Sequence, residues 1–336
     1  MKVYKRIRNI VVSSILSLTV LIIGVDIYGY SGIHMVSKTG ATDYTWMPNQ
    51  WKTTMSEGFS WFRMDENGFN NMQGNTDDID ILLMGSSQME AVSVGCTGNT
   101  AALLNSYLPY RTYNIGISAH LIYHCVNNLA DAVKVYQPSA YVIIETDAVR
   151  LDEDMMQLVI DGNFDHIPSY DSGIFYGLQK YVPPVKTIYK NMKDWSNMGE
   201  GRSEKESIQK LDSENVSATY VSTMKNFLEY AKSKVQGQQL IFVYDPIDQI
   251  DNDGNYIETD ETYRNLFNEE CEKLGIVFVD MSDDFRELYE QQHVMAHGFS
   301  NTMPGSGHLN KCGHEAIAKR LAEVIGDRDE IPYFGK

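Results

Sequence analysis

The hydrophobic pattern of this chain is a series of short apolar runs separated by longer stretches of helical periodicity. Uninterrupted runs such as residues 81–84 (ILLM) are typical of strands that are buried on both faces, as in parallel sheets. Strands are predicted over residues 79–84, 112–115, 140–145, 239–244 and 276–279, and helices over residues 88–108, 119–136, 216–236, 258–274 and 311–325. Because strands separated by helices of this length need right-handed crossovers, we predict an α/β domain with one doubly wound, five-stranded parallel sheet.

The alternation of strands and helices also divides the chain into segments. Residues 1–30 combine a basic end with an apolar stretch, residues 31–78 form a polar and aromatic stalk and lead-in, residues 79–326 form the α/β domain, and residues 327–336 form a tail. Within the domain the alternation stops at residues 148–215, which predicts an insertion of the kind that forms lids and substrate walls. The lead-in is predicted to pack on the domain, and its tryptophans could either pack there or stack on sugars.

The N-terminal segment predicts membrane targeting. Four basic residues among the first eight are followed by residues 10–25, IVVSSILSLTVLIIGV, which carry no charge. A helix of this length is roughly 24 Å long, slightly short of a hydrocarbon core of about 30 Å. Such a segment is either a secretory signal or an uncleaved anchor, and no small-x-small cleavage site follows it. We therefore predict a single-pass helix in the cell membrane, with a cytoplasmic N-terminus and an extracytoplasmic α/β domain.

Composition narrows the range of partners and cofactors. A formal net charge of −17 would repel a phosphate backbone, which argues against a nucleic-acid partner. The cysteines are scattered without metal-ligand spacing, at Cys96, Cys125, Cys271 and Cys312. One or two disulfides are possible outside the cell, but single buried thiols are favoured, and a disulfide-built scaffold is excluded at this length. We predict neither a metal nor a cofactor.

The candidate nucleophile is Ser87, in the turn Gly85-Ser86-Ser87 that follows the first predicted strand of the domain. A hydroxyl there stands at the carboxyl end of a central strand, where open α/β sheets bind their ligands. The alternative is that Ser87 only caps the next helix. Because a serine hydroxyl is a weak nucleophile, it needs an imidazole within hydrogen-bond reach to remove its proton. His308, on the loop before the last helix, can be delivered over the same edge of the sheet.

Four short motifs occur in order along the domain. They are Gly85-Ser86-Ser87, Asn114 with Ala119 five residues later, Glu145-Thr146-Asp147, and Gly305-Ser306-Gly307-His308 with its continuation HLNKCGHEAIA. From about residue 79 to residue 325 this pattern resembles the SGNH (GDSL-type) hydrolase family of serine esterases, acetyl esterases and acyltransferases. The resemblance implies a flavodoxin-like, three-layer α/β/α sandwich whose catalytic residues are Ser87 and His308.

The resemblance also assigns the donors that would stabilise the oxyanion of an acyl-transfer intermediate. The backbone amides of Ser87 and Ala119 would form the oxyanion hole, and Thr146 stands where the family has an asparagine. Ala119 replaces a glycine of the family, and its amide is expected to serve provided that its φ angle is negative. The shorter side chain of Thr146 would leave the third donor absent or mediated by water.

The acid that orients the histidine in a triad is missing from its motif, since Gly305 stands where the family has an aspartate. We therefore predict a Ser87–His308 dyad. The imidazole would be held either by a backbone carbonyl near Gly305 or by a carboxylate from elsewhere. Asp283 and Asp284, after the last predicted strand, are candidates for that carboxylate.

Four other polar residues are considered for binding. Asp147 and His297 are predicted to contact the substrate, with the alternative that Asp147 caps the insertion. His120 and His124 have the i, i+4 spacing of a metal-binding pair, but no acidic third ligand accompanies them in the local sequence. The metal interpretation is therefore not favoured.

Together these features predict a membrane-anchored, extracytoplasmic serine esterase or acyltransferase that acts on O-acyl groups of a cell-surface polysaccharide or wall polymer. Hydrolysis and transfer share an acyl-enzyme and differ only in whether water or a sugar hydroxyl attacks it, so the sequence does not separate them. The alternative is a non-catalytic protein whose SGNH-like scaffold binds or assembles cell-surface glycan, because the acid and one oxyanion donor of the family are absent.

Overall fold

A computed structural model of the protein describes residues 2–28, 34–37, 39–54, 57–165, 216–247, 250–251, 253–257, 261–302 and 305–331. The predicted insertion beyond residue 165 and the tail beyond residue 331 lie outside the described residues.

The N-terminal segment and the lead-in contain one helix and two antiparallel strand pairs. Helix α1 spans Lys2–Tyr28, β1 (His34–Val36) pairs with β2 (Tyr44–Trp46), and β3 (Trp51–Thr54) pairs with β4 (Ser60–Arg63). Side chains of β4 alternate between buried and exposed, which is the pattern of a hairpin with one face on the protein and the other in solvent.

Helix α1 contains the apolar stretch that was predicted to be an anchor. Among the described residues, however, no helix combines the length and the apolarity that a membrane crossing requires. Hydroxyl side chains interrupt the apolar residues, and that of Thr19 donates a hydrogen bond to the carbonyl of Ile15 in the preceding turn (2.9 Å). The membrane-spanning helix therefore stays a prediction from the sequence.

The core of the protein is one parallel sheet. Its strands are β5 (Ile81–Met84), β6 (Thr112–Asn114), β7 (Tyr141–Thr146), β8 (Gln239–Tyr244) and β9 (Val277–Asp280). They lie in the order β6-β5-β7-β8-β9, and every neighbouring pair is parallel. All residues of β5, β6 and β7 are buried, as expected for strands covered on both faces. The prediction of a five-stranded parallel sheet is confirmed.

Helices cover both faces of this sheet. They are α2 (Ser87–Glu90), α3 (Thr100–Tyr107), α4 (Ile122–Tyr136), α5 (Glu153–Ile160), α6 (Ala218–Lys234), α7 (Glu261–Leu274), α8 (Ser282–Gln292) and α9 (Lys311–Asp329). Leu82 and Val142 belong to a hydrophobic cluster with side chains of α4, α6 and α7. Leu83 and Ile143, the next residues of the same strands, belong to a second cluster with α3 and α9. Because successive side chains of a strand point to opposite faces, helices pack on both sides and the domain has three layers, helices, sheet and helices.

The helices differ from the prediction in three places, the first being α5, which lies within the predicted insertion. The single helix expected over residues 88–108 is two helices, because Ala91 adopts a left-handed conformation (φ 54°) that ends α2. Asn99 then caps α3 through a hydrogen bond from the amide of Ala102 to its Oδ1 (2.8 Å). Helix α8 was not predicted, since most of its side chains are polar and only Ser282 and Phe285 are buried.

The strand order creates a crevice above β5 and β7. The connection that leaves β5 passes through α3 on one face of the sheet, whereas the connection into β7 passes through α4 on the other face. Such a reversal opens a space at the carboxyl ends of the two strands, where doubly wound sheets bind their ligands. Ser87 follows β5 at this position, and Asp147 follows β7.

The lead-in is attached to the domain through buried polar contacts. The indole Nε1 of Trp46 donates to the carboxylate of Glu90, at the end of α2. Asn70 donates through its side-chain amide to the carbonyls of Glu90 (2.8 Å) and Ala91 (3.0 Å). The lead-in therefore contacts the short helix that begins with Ser87.

Two asparagine side chains cover the open edge of the sheet at β6. Asn71 accepts a hydrogen bond from the amide of Asn114 (3.0 Å) and donates to its carbonyl (2.9 Å). Asn105 makes the same pair of contacts with Thr112, at 2.6 Å and 3.2 Å. Each side-chain amide thus replaces the backbone of a neighbouring strand, and the edge residues keep their hydrogen bonds.

These two asparagines form a matched pair for mutation. Asn71 is buried whereas Asn105 is exposed, so water replaces the lost side chain less easily in Asn71→Ala than in Asn105→Ala. We expect Asn71→Ala to lower the free energy of unfolding by about 2–4 kcal/mol and Asn105→Ala by about 1 kcal/mol or less. Urea unfolding of both variants measures the difference, and equal losses would contradict the explanation from burial.

Candidate active site

Ser87 occupies the first position of α2, directly after β5. The cap of this helix is Ser86, whose hydroxyl accepts a hydrogen bond from the amide of Gln88 (3.2 Å). The alternative that Ser87 serves as the helix cap therefore does not hold. Ser87 is partly exposed, whereas Ser86 and Gln88 on either side are buried, so a substrate can reach the hydroxyl of Ser87.

The loop that carries His308 is bonded to the residue that follows Ser87. The amide of Leu309 donates to Oε1 of Gln88 (2.7 Å). Leu309 also forms an isolated antiparallel bridge with His297, and the amide of Gly298 donates to the carbonyl of His308 (3.0 Å). These contacts fix the backbone of His308 at the carboxyl edge of the sheet, next to the turn that contains Ser87.

The imidazole of His308 is held by Glu57, which lies in the turn between β3 and β4. Oε2 of Glu57 lies 2.5 Å from Nδ1 of His308 and accepts a hydrogen bond from the amide of His308 (2.9 Å). The amide of Gly58 donates to Oδ1 of Asn301 (2.7 Å), which ties the hairpin to the same loop. A proton on Nδ1 leaves Nε2 as the acceptor, which is the tautomer that a nucleophilic serine requires.

The arrangement differs from the predicted dyad, because a carboxylate is present and comes from outside the domain. Of the two carboxylates considered, Asp283 forms an ion pair with Arg286, and Asp284 lies 3.9 Å from Arg320. Gly305 stands at the position of the missing acid, and Gly307, two residues later, makes room for Glu57. A Cβ atom at Gly307 would lie 3.0 Å from the carboxylate of Glu57, so a side chain there would crowd the acid.

Glu57 was not recognised in the sequence because it precedes His308 by 251 residues and belongs to the lead-in. The hydrophobic pattern of the sequence does not indicate that these two segments are in contact. The available signal was weak: an acidic residue followed by glycine, between two short runs that could pair as strands.

The proposed oxyanion residue Ala119 lies in the loop between β6 and α4. Its φ angle is 65°, so the condition of a negative angle is not met. Ala119 adopts the conformation that a glycine would take there, at a cost of about 1 kcal/mol or more. The loop is held by a hydrogen bond from the amide of Ile117 to the carbonyl of Gly85 (3.0 Å), which keeps it beside the Ser87 turn.

Thr146 does not present its hydroxyl to the crevice. The hydroxyl donates to the carbonyl of Ala148 (2.7 Å) and accepts from the amide of the same residue (3.2 Å). Thr146 is also buried. In this structure it closes a local turn at the end of β7, and the third oxyanion donor of the family has no equivalent in its side chain.

Three carboxyl groups meet behind the nucleophile turn. Glu145 is buried and accepts hydrogen bonds from the amide of Ser86 (2.6 Å) and from its hydroxyl (3.2 Å). Burial, followed by the charge of Asp147, raises the pKa of Glu145 to about 7. Burial and the charges of Glu145 and Asp147 raise the pKa of Asp245 well above its usual range. Because two adjacent buried carboxyls cannot both be ionised cheaply, burial and mutual repulsion favour the protonated forms of Glu145 and Asp245.

The two predicted substrate contacts lie against this cluster. Burial raises the pKa of Asp147, while the charge of His297 opposes that rise. His297 is buried, so its side chain is not presented to solvent. Asp147 is partly exposed and remains within reach of the crevice.

The remaining histidines connect elements of the fold. Nε2 of His120 lies 3.1 Å from Oδ2 of Asp43, and the rings of His120 and His124 stack at 5.3 Å. Asp43, in the lead-in, is thus an acidic neighbour that the local sequence did not reveal. Within the described ranges, no group of three or more His, Cys, Asp or Glu residues is arranged to hold a metal ion. His314 is buried and bonds Thr100 through Nδ1 (2.9 Å), which joins α9 to α3.

Comparisons with known proteins place these observations in context. No family model and no curated protein sequence matches the chain. Among solved structures, a catalytic mutant of an acetylxylan esterase from Geobacillus stearothermophilus is similar, with 16% identity, a TM-score of 0.38, and coverage of 73% of this chain and 93% of that chain. A psychrotrophic esterase from Pseudoalteromonas has 14% identity and a TM-score of 0.37 over 76% and 100% of the two chains. A protein from Bacillus subtilis has 12% identity and a TM-score of 0.42 over 90% and 85%. Likenesses at this level assign no activity to the chain.

The buried carboxyl cluster predicts how stability depends on pH. The pKa of Glu145 is about 7 in the folded protein against 4.5 for an ordinary glutamate, so the folded state binds more protons between these values. Protonated Glu145 therefore contributes to the free energy of unfolding fully below pH 4.5. As the pH rises through 7, this contribution of about 3 kcal/mol is lost. We expect Glu145→Gln to lose less stability than the wild type between pH 5 and pH 8.

Urea unfolding at several pH values measures this difference. Glu229→Gln is the control, because Glu229 lies exposed on α6 in an ion pair with Lys225. An unchanged pH dependence in Glu145→Gln would show that Glu145 does not retain its proton in the folded protein.

Proposed function

We propose that this protein is a serine esterase or acyltransferase that acts on O-acyl groups of a polysaccharide through Ser87, His308 and Glu57. One observation carries the proposal. The carboxylate of Glu57 holds Nδ1 of His308, and the loop that follows this histidine is bonded to the residue after Ser87. A serine, an imidazole and a carboxylate in this order are the parts of a nucleophilic triad.

In the proposed first half-reaction, Nε2 of His308 takes the proton of the Ser87 hydroxyl as Oγ attacks the carbonyl carbon of the ester. The carbonyl oxygen becomes an oxyanion, which the backbone amide of Ser87 would stabilise. The amide of Ala119 would join it, because Ala119 holds the left-handed conformation that a glycine would take at this position. When the intermediate collapses, the bond to the sugar oxygen breaks and His308 donates its proton to that oxygen. The products are a free sugar hydroxyl and an acyl group on Ser87.

The second half-reaction repeats these steps with a new nucleophile. His308 removes a proton from water or from another hydroxyl, which attacks the acyl carbon and displaces Oγ of Ser87. The proton returns from His308 to Ser87. Water gives hydrolysis and a sugar hydroxyl gives transfer. Glu57 stabilises the imidazolium in both halves and acts through His308, so it is a positioning residue.

The proposed substrate class is supported by the family resemblance of the motifs. The alternative of a non-catalytic glycan-binding protein depended on the absence of an acid. Glu57 supplies a carboxylate to His308, which removes the main reason for that alternative. The side chain of Thr146 still lacks an oxyanion role, and loss of one such donor slows acyl transfer on the order of a hundredfold without abolishing it.

The proposal includes a location outside the cytoplasm. Basic residues ahead of an uncharged apolar stretch are arranged as in a secretory signal or an N-terminal anchor. Acylated cell-surface polysaccharide is found on that side of the membrane, which would place the enzyme with its substrate.

A serine-directed fluorophosphonate probe tests the nucleophile and the location together. We expect the wild type and Ser86→Ala to be labelled and Ser87→Ala to remain unlabelled, because the hydroxyl of Ser86 is buried and bonded to Glu145 whereas Ser87 is partly exposed. A membrane-impermeant form of the probe should label intact cells as strongly as lysed cells. Equal labelling of wild type and Ser87→Ala would refute the nucleophile, whereas labelling only after lysis would refute the location alone.

The role of Glu57 is tested by the hydrolysis of an aryl acetate. Glu57→Gln should lower kcat/KM by about 10³–10⁴, because the amide no longer fixes the required tautomer of His308. Glu57→Asp should recover part of this loss, while Asp283→Asn and Asp284→Asn should change kcat/KM less than about twofold. The pH profile separates positioning from folding: the apparent pKa of His308 should fall in Glu57→Gln, since a neutral neighbour no longer stabilises the imidazolium. A wild-type profile in that variant would contradict the assignment.

A further inference from the structure

Two tryptophans lie on the solvent-facing side of the hairpin that carries Glu57. Trp51, on β3, is 46% exposed, and Trp61, on β4, is 48% exposed. Their rings stack on each other, with centroids 4.7 Å apart and planes at 19°. Phe59, in the same hairpin, is 64% exposed. The hairpin therefore presents a continuous aromatic surface to solvent.

This exposure is not needed to hold the hairpin in place. Ser60 and Phe62 alternate with the exposed residues of β4 and are buried on the protein side. Trp46, in the preceding strand pair, is only 6% exposed and shows how the lead-in uses a tryptophan for packing. Large aromatic side chains dominate interface energetics when buried, so an exposed and mutually stacked pair indicates a binding surface.

The aromatic surface lies close to the proposed site. Trp61 follows Glu57 by four residues, so their Cα atoms are at most about 14 Å apart even along an extended chain. Glu57 in turn contacts His308 directly. A ligand that lies on Trp61 would thus be within a few sugar rings of the triad.

The chemistry of the surface favours an uncharged, ring-shaped ligand. The face of an indole is electronegative and attracts the C–H hydrogens that line one side of a pyranose ring. A net charge of −17 disfavours anionic polymers and anionic lipid surfaces, because like charges repel. We propose that Trp51 and Trp61 form a subsite that stacks a pyranose ring of a neutral polysaccharide whose acyl group is presented to Ser87. The role of the subsite in the reaction rests on the proposed function, but the binding of the polysaccharide to the two tryptophans does not require catalysis.

Kinetics with two substrates test the subsite separately from the triad. Acetylated xylan is long enough to reach the tryptophans, whereas an aryl acetate reports the triad alone. In Trp61→Ala and Trp51→Ala, the ratio of kcat/KM for acetylated xylan to kcat/KM for the aryl acetate should fall roughly three- to tenfold. Trp61→Tyr, which keeps a ring, should recover most of this ratio, and Leu158→Ala, an exposed apolar residue on α5, should leave it unchanged.

Binding is measured on Ser87→Ala, which cannot turn over the polymer. Tryptophan emission of this variant should change on addition of xylan or glucomannan, with or without acetyl groups, and the response should be lost in Ser87→Ala combined with Trp51→Ala and Trp61→Ala. Loss of aryl acetate hydrolysis in the wild type would refute the proposed function but leave this titration able to support the subsite.

Three results would overturn the subsite itself. The first is an emission unchanged by either neutral polysaccharide. The second is an equal ratio of rates in the tryptophan variants and the wild type. The third is binding to vesicles of phosphatidylcholine and phosphatidylglycerol that depends on Trp51 and Trp61 while polysaccharide binding does not, which would assign the surface to a membrane.

Discussion

The contact between Glu57 and His308 is the constraint on which the proposed site depends, because it joins two segments that the fold alone would leave apart. The sheet and its helices bring Ser87 and His308 to one edge, but among the contacts described they supply no carboxylate to the imidazole. That carboxylate arrives on a hairpin attached to the domain by contacts such as those of Trp46 and Asn70 with Glu90. The lead-in is therefore part of the proposed active site, although its sequence precedes the α/β pattern.

The fold was predictable where burial imposes a simple period. Strands covered on both faces must be apolar throughout, so the runs that became β5, β7 and β8 were visible in the sequence to within about two residues. Elements whose bounds depend on the conformation of one residue were not predictable in this way. The left-handed Ala91 divides one expected helix into two, and α8 is too polar for its period to be recognised.

The site was predictable only where chemistry and local sequence coincide. Ser87 and His308 each follow a recognisable strand or precede a recognisable helix, so their common edge follows from topology. Glu57 depends on tertiary docking of a segment with no repeat, and therefore no local rule identifies it. The φ angle of Ala119 and the turn made by Thr146 depend on backbone geometry that composition does not encode. The raised pKa values of Glu145 and Asp245 likewise arise from burial and proximity of residues about a hundred positions apart in the chain.

The asparagine side chains on β6 have a consequence beyond stability. An uncovered strand at the border of a sheet offers its amides and carbonyls to any extended peptide, including one from another copy of the same molecule. Here Asn71 and Asn105 occupy those positions at Asn114 and Thr112. Growth of the sheet by strand addition is thus blocked at this border, which disfavours self-association of copies through β6.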